Sequence, residues 1–149
     1  NPSFALAHSN LAASYLKVGR WKKALEHLST AVHLEPSASK QASFHGLMGT
    51  IYGEKGNLSE AVRHLTLATE LDPFLASAQN HLGYALVKMG RLDEAITRFS
   101  RAVELDPNYA RAWMNLSASY RQKGMEDASR EAFLKAVSIN PELARGRQK

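Results

Sequence analysis

Prolines stand at positions 2, 36, 73, 107 and 141, so successive gaps are 34, 37, 34 and 34 residues. Four of the nine glycines, Gly19, Gly56, Gly90 and Gly124, keep the same beat, with gaps of 37, 34 and 34. Two residue types in one register restrict the chain to stacked copies of a single small unit. The longer gap occurs in both series, which places a three-residue insertion between Pro36 and Gly56. Its natural home is residues 37–41.

Each unit reads as two helices. Asp72-Pro73, Asp106-Pro107, Asn1-Pro2 and Asn140-Pro141 place a side chain able to cap the first turn before a proline that has no N–H to leave unpaired. A helix is therefore expected to begin at each proline. The glycine some 17 residues later closes it, because glycine reaches the left-handed conformation without steric cost. A second helix follows, with apolar positions at helical spacing, as in Ala95, Phe99, Ala102 and Leu105. The expected helices cover about 3–18, 21–35, 39–55, 58–71, 74–89, 92–105, 108–123 and 126–139. One array, 1–149, is expected, with repeats at about 3–36, 39–73, 74–107 and 108–141 and a truncated capping helix or tail at 142–149.

Composition narrows the functional classes. The chain is 44% apolar and 22% charged, as in a soluble folded protein, and no apolar run reaches the length of a membrane span. It has no cysteine, which removes disulfides, thiolate metal sites and cysteine nucleophiles. The net charge of +5 is a mild basic bias spread among acids, and only 20–23 and the tail 145–149 are basic clusters. No contiguous basic stripe interleaved with aromatics suggests nucleic acid. No phosphate loop, HExxH pair or nucleophile elbow occurs, and no cofactor or metal is expected. His27 and His64 occupy one position in successive second helices, read as the outer face. His8 and His45 share the slot that Trp113 fills and read as packing residues.

The units resemble the tetratricopeptide repeat, whose pattern is W-x2-L-G-x2-Y, then A-x3-F, then A and P. The fourth unit carries Trp113, Leu116-Ser117, Tyr120, Ser129, Phe133, Ala136 and Pro141. The third carries Gln79, Leu82-Gly83, Leu86, Ala95, Phe99, Ala102 and Pro107. The second carries His45, Met48-Gly49, Tyr52, Ala61, Leu65, Ala68 and Pro73, and the first His8, Leu11-Ala12, Tyr15, Ala24, Leu28, Ala31 and Pro36. Small positions stay small and large apolar positions stay apolar. The resemblance implies an all-α, right-handed superhelical solenoid of four such repeats, with Ala12, Gly49, Gly83 and Ser117 at the close crossings.

It also implies that the first helices line a concave groove for a peptide or partner protein. The partner-binding positions it marks are Asn10 and Lys17 in unit one, and Gly46, Thr50 and Gly53, beside Glu54, in unit two. Unit three contributes Asn80, His81, Tyr84 and Lys88; unit four contributes Arg111, Met114, Asn115 and Arg121. Gly46 and Gly53 are two turns apart and bare one stripe of the floor. Asn80 and Asn115 stand as amide donors and acceptors, Tyr84 as an aromatic anchor, Arg111 and Arg121 as positive charge. The backbone-bonding asparagine ladder of some family members is broken at Leu47, and their lysine–asparagine–arginine clamp for a terminal carboxylate is absent.

These features suggest a non-enzymatic scaffold that binds a protein or peptide, with no nucleic acid and no integral membrane segment, expected in the cytoplasm. The alternative is a regulatory or substrate-docking region of a larger enzyme whose catalytic domain lies elsewhere. Leu6 and Leu11 on the first unit suggest end-to-end self-association.

Overall fold

The computed structural model describes residues 2–145, and among them there are nine helices and no strand. They are α1 (Pro2–Lys17), α2 (Trp21–Leu34), α3 (Ala38–Glu54), α4 (Leu58–Leu71), α5 (Ala76–Lys88), α6 (Leu92–Leu105), α7 (Ala110–Gln122), α8 (Glu126–Ile139) and the single turn α9 (Glu142–Arg145). Odd helices pack on the even helices that follow them, each pair packs on the next, and α3–α5 and α5–α7 also touch. The result is an all-α solenoid. None of the described helices is long and apolar enough to cross a membrane.

Glycine sets the first turn of each pair. Gly19, Gly56, Gly90 and Gly124 have φ between 74° and 78°. Arg20 N–H bonds the carbonyl of Tyr15 and Gly19 N–H that of Leu16, and both bonds recur at each of the other three glycines. This is the Schellman closure, and it satisfies carbonyls the helix end would otherwise leave bare.

The prolines act differently from expectation. α5 and α7 begin at Ala76 and Ala110, three residues beyond Pro73 and Pro107. Asp72 and Asp106 instead terminate the preceding helices, and their Oδ1 atoms accept from the N–H of Phe74 and Asn108. The aspartate caps the turn between units, not the next helix; Asn140 does the same for Glu142 N–H. Asn1 and residues 146–149, which carry the expected first cap and most of the basic tail, lie outside the described residues.

At the longer gap, α3 runs for 17 residues against 13 in α5 and α7, starting four residues before Ala42, the counterpart of Ala76. The turn before it is held by Glu35, which is buried and accepts from Ser37 N–H through Oε1 at 3.1 Å. Gln41 Nε2 donates to the Glu35 carbonyl, and Lys40 Nζ stands 3.7 Å from Oε2. Glutamate here takes the place that Asp72, Asp106 and Asn140 hold at the other turns.

Packing within pairs follows the small-and-large alternation. Ala24, Ala61 and Ala95 are fully buried, and Leu28, Leu65 and Phe99 hold the equivalent large positions four residues later. Burying each of these large side chains is worth about 2–3 kcal/mol. The last pair substitutes serine at both small positions: Ser117 Oγ donates to the Ser129 carbonyl at 2.8 Å, and Ser129 Oγ to the Ser117 carbonyl at 2.9 Å. Two buried hydroxyls are thereby satisfied across the crossing.

Candidate functional site

First helices at a 34-residue offset repeat the same face, so α3, α5 and α7 align side chains from three units along one groove. A cavity of about 690 Å3 opens there. α3 supplies Thr50, Gly53 and Glu54; α5 supplies Asn80, His81, Tyr84 and Lys88; α7 supplies Arg111 and Asn115. Thr50 and Tyr84 are one repeat apart, as are His81 and Asn115, and all four line the cavity.

The polar groups are ordered by specific bonds. Thr50 Oγ1 donates to the Gly46 carbonyl at 2.9 Å, so its contact with His81 Nδ1 at 3.2 Å requires the imidazole to donate. Burial holds the His81 pKa below its usual value, and the Arg111 guanidinium lowers it further against the opposing pull of Glu54. His81 is therefore neutral near pH 7. Tyr84 is 51% exposed, with Lys88 Nζ 5.4 Å from its ring centroid. An exposed aromatic face beside two cations can receive an apolar group and an anion together.

The two asparagines are not free for a ligand in the way expected. Asn80 is 1% exposed; its Oδ1 accepts from Asn115 Nδ2 at 2.9 Å, and its Nδ2 donates to the Tyr109 hydroxyl at 3.3 Å. Asn80 is a structural bridge from α5 to α7 and to the turn before it. Tyr109, whose hydroxyl pKa is raised by burial, was missed in the sequence because it lies in that turn and outside the helical register.

Eight of the expected positions converge on the cavity: Thr50, Gly53, Asn80, His81, Tyr84, Lys88, Arg111 and Asn115. Asn10 and Lys17 are exposed on α1, Arg121 is exposed on α7, Met114 is half-buried, and Gly46 is buried; none of these five lines the cavity. A β-carbon at Gly46 would meet nothing within 4 Å, and one at Gly53 would make only an ordinary 3.7 Å contact with Ala61. Packing does not demand glycine at either.

Four of the six histidines occupy a recurring cross-helix slot whose members are 19 residues apart. It holds His8 and His27 in the first pair, His45 and His64 in the second, Gln79 and Arg98 in the third. The fourth pair has Trp113 and Ala132 at these positions. His64 is only 4% exposed, so it does not lie on the outer face as expected; it turns inward against His45 and stacks on Tyr52. These two histidines border a second cavity of about 550 Å3, whose other wall is α2. Among the described residues no three acidic or histidine side chains cluster as metal ligands.

Models of the tetratricopeptide repeat match at residues 5–38, 47–96 and 110–143, and a further TPR repeat model matches at 83–124. Among solved structures, MamA is 24% identical, with TM-score 0.81 over 97% of this chain and 83% of that one. MamA from residue 41 onward of Desulfovibrio magneticus RS-1 is 25% identical, with TM-score 0.80 over 93% and 76%. YrrB, described as a TPR protein with an unusual peptide-binding site, is 26% identical, with TM-score 0.76 over 92% and 69%. No curated protein matches at a significant level.

Proposed function

The chain belongs to the tetratricopeptide repeat family, and from that premise we propose that it is a non-catalytic scaffold holding a peptide segment of a partner protein in the groove over α3, α5 and α7. The observation that carries the reading is the exposed ring of Tyr84, with Lys88 over it, in a cavity that Thr50, Gly53 and Arg111 also line. Such a constellation suits a segment with one bulky apolar side chain and a nearby carboxylate, because aromatic and arginine residues dominate binding hot spots. The glycine at 53, which packing does not require, leaves room for that side chain. The likeness to YrrB supports a peptide ligand.

Selecting peptides from a display library on the intact protein, with counter-screening on Tyr84→Ala and Arg111→Glu, tests the reading. Enriched peptides are expected to pair an apolar and an acidic residue and to lose binding to both variants. Peptides that bind all three proteins equally overturn it.

A further inference from the structure

The two histidine pairs join the first helix to the second in the first two units, and each joins them through facing Nδ1 atoms. His8 and His27 stand 2.9 Å apart at Nδ1, and His45 and His64 stand at the same distance 37 residues later. A nitrogen–nitrogen bond of this kind exists only while one ring keeps a bare nitrogen.

In the second unit the tautomers follow from the neighbours. Arg63 has only donors, and its Nη2 lies 2.9 Å from His64 Nε2, so that nitrogen is bare. The single proton of neutral His64 is then on Nδ1 and is donated to His45 Nδ1. A further proton on His64 must enter at Nε2, against the Arg63 guanidinium. One on His45 must enter at Nδ1, against the His64 N–H. The first sets a new N–H against the guanidinium and leaves the Nδ1 bond in place; the second puts a proton on both facing Nδ1 atoms and breaks the pair. The charged and titratable groups around it are Glu60 and Arg63 from α4, Tyr52 from α3, and Lys22, Glu26 and His33 from α2 across the shared cavity. Glu60, the carboxylate nearest His64, is engaged with Arg63, its Oε2 2.6 Å from Nη2 and 3.9 Å from His64 Nε2. In the first unit Tyr15 stacks on His27, and Lys23 lies over the tyrosine ring.

The third and fourth units fill the same slot with Gln79–Arg98 and with Trp113 and Ala132, none of which gains a proton between pH 7 and pH 5. We propose that α1–α4 form an acid-sensitive half of the array: protonation of the paired histidines unlatches the first two helix pairs while the pairs α5–α6 and α7–α8 stay closed. His81, the imidazole on α5, bonds Thr50 of α3 across units rather than within its own helix pair. A solenoid permits this, since each repeat depends chiefly on its neighbours. Burial and Arg63 already hold both His45 and His64 below the ordinary histidine range, so the latch is closed at neutral pH. The groove floor at Thr50 and Gly53 belongs to the sensitive half and Tyr84 and Arg111 to the other, so the same opening would dismantle the groove. The inference stands independently of any ligand.

Amide hydrogen exchange on the whole protein, corrected for intrinsic rates, tests it between pH 7.5 and pH 5.0. Protection in α1–α4 is expected to fall at least tenfold relative to α5–α8. A variant carrying the third unit's own pair in both earlier slots, H8Q, H27R, H45Q and H64R, should lose that difference. Histidine ring resonances of the unaltered protein provide a second reading, with His45 and His64 titrating together with the loss of protection. All eight long helices losing protection in parallel overturns the proposal, as does a four-site variant that stays folded and keeps the selective loss.

Discussion

Gly49 and Leu65 meet so closely that a β-carbon on the glycine would stand 2.5 Å from Leu65 Cγ and 3.0 Å from the Ala61 carbonyl oxygen. Three residues earlier on α3, Gly46 has open space where its β-carbon would be. The two glycines should therefore respond oppositely to alanine. Gly49→Ala is expected to lower stability by about 1–3 kcal/mol through overpacking. Gly46→Ala should raise it by about 0.5–1 kcal/mol through helix propensity and reduced unfolded-state freedom. Urea denaturation of the two variants checks both signs.

Glu35 holds the turn that accommodates the longer gap. Glu35→Ala removes the acceptor of Ser37 N–H and should cost about 1–2 kcal/mol, with the loss localised to the junction of α2 and α3. Hydrogen exchange at Ser37 and the first turn of α3 reads the effect. Unchanged protection there would mean that the helix extension, not the glutamate, fixes the junction.

His81 provides a pH prediction with a definite sign. Its folded pKa lies below 6.5, so its neutral form contributes stability that is complete above pH 6.5 and is lost as pH falls through the lowered value. Arg111→Ala should move the His81 titration midpoint upward, and Glu54→Gln should move it further down. A ring-proton titration by NMR distinguishes these directions.

α1 leaves Phe4, Leu6 and Leu11 exposed. We expect concentration-dependent self-association through this helix, diminished in Leu6→Glu. Sedimentation equilibrium of the two proteins measures it; a strict monomer in both contradicts the expectation.

The helix pairs were legible because glycine leaves no alternative at a left-handed turn, and four of them recur in register. The start of α5 and α7 was not, because an aspartate before proline can cap a turn as readily as a helix, and here Asp72 and Asp106 serve the turn. Thr50, His81, Tyr84 and Arg111, which the family resemblance marked, line one cavity, because equivalent first-helix positions repeat the same face. Asn80 was misread because its partner Tyr109 comes from an inter-unit turn, where periodicity assigns no direction. His64 was misread for a related reason: a second-helix position was taken to face outward, but the 19-residue cross-helix contact turns it toward His45.

The central claim is that the groove over α3, α5 and α7 is where a partner segment lies. Its most direct test is an amide chemical-shift titration of the labelled protein with a peptide selected on it, repeated with Tyr84→Ala, Arg111→Glu and Gly53→Leu. Perturbations are expected to centre on Thr50, His81, Tyr84 and Arg111, with a loss of about 2 kcal/mol in Tyr84→Ala. Arg111→Glu should show a salt-dependent loss and Gly53→Leu blocked binding. Perturbations confined to α2, α4, α6 and α8, with all three variants binding as the unaltered protein does, would contradict it.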